Sequence, residues 1–217
     1  MTSTLWILAQ GAAVSLFLAF VGAIGGTAFA LLLNVAAFSK IGLLRGCYHT
    51  YIYFARGIPL LVQALLIFYT LPAFGILIGP LTAGALVLTL YIGAMFAEVF
   101  RGGVLAIPRT LWDSTRSLGL PPLQVLRRVV IPLVLRYTLP SYINVCVLTI
   151  KASSVLSVIS VWELTLAARE IVERTLDVFP VMIAASCFYF VMCFSIDRLG
   201  RHVEHRLALK GFSGERP

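Results

Sequence analysis

The sequence predicts an all-α integral membrane protein. Hydrophobic residues make up 60% of the 217 residues and charged residues only 12%, whereas soluble domains carry roughly 25% charged residues. The apolar runs are continuous instead of alternating, and a backbone in lipid must satisfy its own hydrogen bonds, so helices are favoured over a barrel. The length suits a single transmembrane domain over residues 1–217.

Five membrane spans follow from the positions of the charged residues, because a spanning helix needs about 20 apolar residues. No charged residue precedes Lys40, which predicts one long first helix. The charge-free stretch 57–97 is too long for one span, and we divide it where Pro72 and Pro80 interrupt it. The fourth span contains Lys151. The predicted spans are 5–38, 50–71, 80–100, 139–161 and 178–196.

The distribution of lysine and arginine predicts an external N-terminus and a cytoplasmic C-terminus. With this orientation the outer loops hold only Arg169 and Arg174. We attribute the net charge of +8 to this topology and to attraction to anionic membrane lipid, so that nucleic-acid binding is not required. The basic residues of the inner segments are Lys40, Arg45, Arg101, Arg109, Arg116, Arg127, Arg128, Arg136, Arg198, Arg201, Arg206, Lys210 and Arg216.

The basic loop at 107–136 is predicted to form two short amphipathic helices separated by a tight turn. Pro108 can open the first helix, and Gly119 can end it. A second apolar stripe at 123–133 indicates another short helix, whose length Pro132 would limit. From the residues alone, this loop is either a docking element at the cytoplasmic surface or a simple interfacial anchor.

Polar residues inside the predicted spans are candidates for a solute pathway. Lys151 lies about half a span from either end of its helix, with several serines after it and Asn144 two turns earlier. These side chains would line a cavity for a zwitterionic solute, or would hydrogen-bond between packed helices. In the third span, Tyr91 and Met95 would either line the cavity or pack against neighbouring helices. The candidate pathway residues are Tyr91, Met95, Asn144, Lys151, Ser153, Ser154 and Ser157.

Four charged residues near predicted membrane boundaries, Arg56, Glu98, Arg101 and Glu163, would act in gating or as structural braces. The sequence shows no catalytic constellation, no glycine-rich phosphate loop and no metal-ligand spacing of cysteine or histidine. We therefore assign no catalytic residue, metal or cofactor to this chain. If the protein performs work, a partner must supply the energy.

The loop at 107–136 resembles the EAA loop of ABC-importer membrane subunits. That pattern has EAA, three residues, glycine, nine residues and then I-x-L-P, and here it falls on Asp113-Ser114-Thr115, Gly119, Val129, Ile131 and Pro132. The acid is aspartate, and both alanines are replaced. The segments 54–63 and 97–103 are similar to the FxRGxPLLVQ and AExxRGG segments of the polar-amino-acid branch, which includes histidine, glutamine, arginine and opine permeases. The resemblance extends over roughly residues 10–207 and includes Pro140, Asn144, Lys151 to Ser154, Glu163 and Leu164.

This resemblance implies the fold of a type I ABC-importer permease in the bacterial inner membrane. Such a subunit moves a polar amino acid or a related solute, such as an opine, and is not itself an enzyme. It would pair with an identical or homologous permease subunit, and an external solute-binding protein would deliver the solute. A separate cytoplasmic ATPase dimer would bind ATP and Mg²⁺. The residues that would couple this chain to the ATPase are Asp113, Ser114, Thr115, Leu118 and Gly119.

Two questions stay open in this interpretation. The first is the function, because a non-transporting sensor or scaffold could retain the same permease-like frame. An exporter or a secondary carrier is a further alternative, and the EAA-like loop argues against both. The second is the solute. Many members of the resembled family carry an acid directly after the lysine, where this chain has Ala152. Either a paired, non-identical subunit would hold the solute, or the solute would be neutral or anionic.

Overall fold

The computed structural model describes residues 2–207, and all regular structure in this part of the chain is helical. Two of the predicted inner charges, Lys210 and Arg216, lie outside the described residues. Three tighter or wider helical turns, at Leu71–Phe74, Leu126–Val130 and Ser154–Ile159, interrupt or extend the α-helices. The α-helices are α1 Thr2–Ala37, α2 Gly42–Gly57, α3 Leu60–Thr70, α4 Pro80–Leu105, α5 Arg109–Ser117, α6 Pro122–Val125, α7 Ile131–Ser153, α8 Leu164–Thr175 and α9 Val178–Leu207.

Four helical segments are long and apolar enough to cross a membrane, and the bent pair α2–α3 brings the number to as many as five. The predicted first, third and fifth spans each fall on one of these long helices. The four segments are Thr4–Ala37, Pro80–Leu105, Pro122–Ile159 and Val178–Glu204.

The second predicted span, 50–71, is not one continuous helix. Its two halves meet at an angle of 106°, as in a broken span or a re-entrant element. Pro59 causes the break because it has no backbone N–H and disfavours a helical conformation at Ile58, which is extended with φ −97° and ψ 131°. The side-chain amide of Gln63 donates to the carbonyl oxygens of Ala55 and Ile58, both at 2.8 Å. A side chain of α3 therefore satisfies two carbonyl groups that the break leaves without helical partners.

The sequence predicts a separate second short helix in the loop, and this prediction is wrong. That helix is continuous with the fourth span. The helix runs from Pro122 to Ile159 and so begins well before the predicted residue 139. Pro132 does not end it, because the preceding turn is a π-helix in which Ile131 N–H bonds to the oxygen of Leu126. Proline is tolerated in the first turn of the α-helix that follows, so Pro132 stands within a continuous segment.

Small residues allow the spanning helices to approach one another closely. Helix α1 packs along α4, and α4 packs along α7. A Cβ added at Gly26 would lie 3.1 Å from the backbone nitrogen of Gly93, so the two backbones are nearly in contact. Such small-residue contacts are how membrane helices gain packing without a hydrophobic driving force from water.

The adjacent glycines of α4 give a matched test of this packing. A Cβ added at Gly103 would overlap Cγ2 of the buried Thr138 on α7, whereas a Cβ at Gly102 meets nothing within 4 Å. We expect Gly103→Ala to destabilise the protein by about 1–3 kcal/mol through overpacking. Gly102→Ala should leave stability unchanged or raise it by up to about 1 kcal/mol, since alanine is the better helix former. Thermal unfolding in one detergent measures both, and equal unfolding temperatures would contradict the close α4–α7 contact.

Candidate functional site

Helix α5 is a short helix with a defined start and a defined end, as the sequence predicts. It follows Pro108, whose backbone is extended at φ −57° and ψ 141°. At its other end Gly119 has φ +62° and donates its N–H to the oxygen of Arg116 at 3.0 Å. The N–H of Leu120 reaches the oxygen of Thr115 at 3.3 Å. These two bonds form a Schellman motif, which needs a residue in the left-handed conformation and therefore favours glycine.

The exposed face of α5 carries most of the proposed coupling residues. Asp113, Ser114, Leu118 and Gly119 are exposed, with Leu118 at 73%. Thr115 is buried against the chain itself, and its hydroxyl donates to the carbonyl of Trp112 at 2.8 Å. Thr115 is therefore placed to support the helix from within, while the other three side chains and the backbone of Gly119 are open to contact with another protein.

The proposed pathway residues of α7 do not share one polar side. Asn144 and Lys151 are exposed and lie two turns apart on one face. Ser153 is two residues beyond Lys151, about 200° around the helix, and it is fully buried with its hydroxyl bonded to the oxygen of Ile150. Ser157 is also buried and donates to the oxygen of Ser154. The exposed polar face thus consists of Asn144 and Lys151, with Ser154 partly exposed.

Tyr91 and Met95 of α4 lie on the border of the packed interior. Both are partly buried and pack against a cluster formed by α1, α2 and α4 that includes Tyr48 and Phe96. The part of each side chain that is not packed is accessible, so both residues can also contact neighbouring molecules.

Arg56, Glu98 and Arg101 form one charge cluster that joins α2 to α4. The carboxylate of Glu98 lies 3.6 Å from Nη1 of Arg56 and 3.9 Å from Nη1 of Arg101, and it accepts a 2.6 Å hydrogen bond from the hydroxyl of Tyr48. The side chain of Arg56 is 54% exposed, so this pairing contributes little to stability on its own. Sequence reasoning identified the three charges and missed Tyr48, which no local motif distinguishes from the other tyrosines.

Glu163 is the centre of a buried hydrogen-bond network that joins α1, α8 and α9. It is 0% exposed and accepts hydrogen bonds from Ser15 Oγ at 3.1 Å, Tyr189 Oη at 2.8 Å and the N–H of Leu166 at 3.0 Å. The bond from Leu166 makes Glu163 the N-cap of α8. None of the basic side chains that the structure describes forms an ion pair with it. This geometry is that of a structural brace.

Two members of the network were not predicted. Ser15 also accepts a 3.2 Å bond from the N–H of Leu164, and Tyr189 shares a 2.9 Å bond with Thr165. A serine and a tyrosine inside apolar spans are common, so the sequence contains no signal that pairs them with Glu163.

Comparisons with known proteins agree with this architecture. A family model described as "binding-protein-dependent transport system inner membrane component" matches residues 34–209. The L-cystine transport system permease protein of Bacillus subtilis (strain 168) is 33% identical over 202 residues, which are 93% of this chain and 86% of the relative. The glutamine transport system permease protein of Escherichia coli (strain K12) is 31% identical over 213 residues, 95% and 97% of the two chains.

Solved structures show the same fold. The crystal structure of an amino acid ABC transporter with histidines superposes with a TM-score of 0.87 at 32% identity, covering 92% of this chain and 94% of the other. An inward-facing structure of the methionine ABC transporter MetNI superposes with a TM-score of 0.79, covering 96% of this chain and 100% of the other. Its identity is 20%, so it supports the fold alone. The described helices therefore form a type I ABC-importer permease fold.

Proposed function

The chain belongs to the family of binding-protein-dependent transport system inner membrane components, and on that premise we propose that it is the permease subunit of an ABC importer for a polar amino acid or a related small solute, such as an opine. The observation that carries this proposal is the near-complete superposition on an amino acid ABC transporter at 32% identity. The alternative of a non-transporting sensor or scaffold has no support among the relatives, which are transport permeases.

The family works with a separate ATPase and with a solute-binding protein. We place ATP and Mg²⁺ at the ATPase and assign this chain no catalysis. We further propose an external N-terminus, a cytoplasmic C-terminus and a second permease subunit, identical or homologous, that completes the solute pathway.

Helix α5 is the proposed contact with the ATPase. Its exposed residues Asp113, Ser114, Leu118 and Gly119 form the docking face, and the Schellman motif holds the end of the helix in one geometry. A short helix with a fixed end moves as a rigid body, which is what transmission of force from the ATPase requires.

The proposed function is tested by co-purification and uptake. We expect the chain to purify with an ATPase subunit of its own host. The complex in proteoliposomes should then take up glutamine or cystine only when ATP and the cognate solute-binding protein are present. A chain that purifies without any ATPase and takes up none of a panel of amino acids and opines would contradict the proposal.

Lys151 is the proposed contact of this subunit with the solute. Removing a charged hydrogen-bonding group typically costs about 1.5–3 kcal/mol, so we expect Lys151→Ala to change the KM or rate of uptake about tenfold or more. Lys40→Ala removes another exposed lysine and should have no effect. Ser153→Ala should leave the KM unchanged because Ser153 is buried. A KM and rate unchanged by Lys151→Ala would show that Lys151 is outside the pathway.

A further inference from the structure

A groove with a volume of about 610 Å³ separates the inner face of α5 from the rest of the protein. We propose that this groove binds an anionic phospholipid, with an acyl chain along its walls and the phosphate near Arg116. The walls come from the ends of α1 and α4, from α5, and from the segment Leu120 to Val130, which includes α6. Its volume is in the range of about 300–1,000 Å³ that is usual for sites that enclose small molecules.

The walls of the groove suit a hydrocarbon chain. Phe38, Val104 and Leu126 contribute apolar side chains from three different elements. The hydroxyl proton of Thr115 is already donated to the carbonyl of Trp112, so this side chain offers mainly its methyl group. A peptide segment would leave its backbone N–H and C=O groups without partners here, and such groups are nearly always paired when buried. A lipid chain has no such groups.

The charge of the groove suits an anionic headgroup. Among the described residues that line it, Arg116 is the charged one, and no acidic side chain within residues 2–207 forms an ion pair with it. Arg109, Arg127 and Arg128 are close in sequence and exposed, and Asp113 is the sole acid between Glu98 and Glu163. Basic pockets between membrane helices on the cytoplasmic side are typical binding sites for anionic lipid headgroups.

The position of the groove is that of a membrane boundary. Two spanning helices, α1 and α4, end beside it at Ala37 and Leu105. Trp112 lines it, and tryptophan is enriched where lipid headgroups meet the hydrocarbon region. The placement on the cytoplasmic side rests on the proposed function. A lipid in this groove would support α5 from behind and so influence how the helix follows the ATPase.

Quenching of Trp112 fluorescence tests the proposal directly. The full-length chain is reconstituted into phosphatidylcholine vesicles that contain brominated phosphatidylglycerol or brominated phosphatidylcholine as the minor lipid. The signal of Trp112 is the difference between the wild-type chain and Trp112→Phe. We expect phosphatidylglycerol to bind about fivefold more tightly, which corresponds to the attraction of one arginine for an anionic surface.

Variants of α5 separate the site from general surface attraction. Arg116→Gln should abolish the preference for phosphatidylglycerol, and Arg116→Lys should retain it. Arg109→Gln removes the same charge from the same helix outside the groove and should have no effect. An equal loss in Arg109→Gln and Arg116→Gln would overturn the site in favour of general surface charge.

The remaining outcomes are equally decisive. Equal quenching by both brominated lipids would show an apolar crevice without headgroup recognition. No quenching by either lipid would show that no lipid enters the groove and would overturn the proposal. The measurement needs no ATP and no transport. A failure of the importer proposal therefore appears separately, as absent ATP-driven uptake.

Discussion

Replacing Gly119 with valine is expected to reduce ATP-driven uptake about tenfold or more. Gly119 has φ +62°, a conformation that costs an L-residue about 1–2 kcal/mol and is a genuine outlier for a β-branched one. An added Cβ meets nothing within 4 Å in this chain, so the penalty is conformational. Relieving it would unwind the last turn of α5 and displace Leu118 from the docking face. Uptake and ATPase activity in proteoliposomes measure the loss of coupling.

Two controls define the origin of that effect. Gly119→Asn should retain most of the uptake, because asparagine adopts the left-handed conformation at low cost. Gly46→Val places the same side chain in open space at a helical position of α2 and should also be tolerated. If Gly119→Asn fails as completely as valine, the glycine is required for close approach of the ATPase and the conformational explanation is wrong.

Replacing Glu163 with alanine is expected to destabilise the protein by about 3 kcal/mol or more. The substitution removes the acceptor of the Ser15 hydroxyl and of the Leu166 N–H at a fully buried carboxylate, while Tyr189 keeps its bond with Thr165. Each buried group left unsatisfied costs about 1–3 kcal/mol, and the lost bond from Leu166 is at the same time the loss of the N-cap of α8. The thermal unfolding temperature of the purified chain in detergent measures the change.

Glu173→Ala is the matched control, because Glu173 lies on the same helix and is exposed. It should change stability by no more than about 0.5 kcal/mol. Tyr189→Phe should be less costly than Glu163→Ala, and the two changes should not add, because they remove the same hydrogen bond. If Glu163→Ala is no more harmful than Glu173→Ala, water replaces the carboxylate and the network is not a brace.

Local features were predicted well because their causes lie within a few residues. The end of α5 depends on Gly119 and on bonds to Arg116 and Thr115, all within one turn. The long apolar helices follow from charge-free runs that must satisfy their own backbone in lipid. The break between α2 and α3 had an equally local cause, Pro59, which the continuous apolar pattern concealed.

Two predictions were wrong because neighbouring backbone groups compensate for a proline or a hydroxyl. The sequence predicts that Pro132 limits its helix, but a π-turn before it allows the helix to continue to Ile159. The sequence also predicts one polar face for the serines after Lys151, but Ser153 and Ser157 bond to their own backbone and face the interior. Hydrogen bonds of this kind satisfy a hydroxyl without any aqueous cavity.

Composition alone predicts an all-helical membrane protein, because it decides which solvent surrounds the chain, and the contiguous loop motif carries the resemblance to ABC-importer permeases. Which polar residues are buried together depends instead on the packing of the helices. Ser15, Glu163 and Tyr189 are widely separated in sequence, and the charge cluster of Glu98 joins helices α2 and α4. Such pairings depend on how helices cross, and close helix crossings are set by shape at residues such as Gly26 and Gly93.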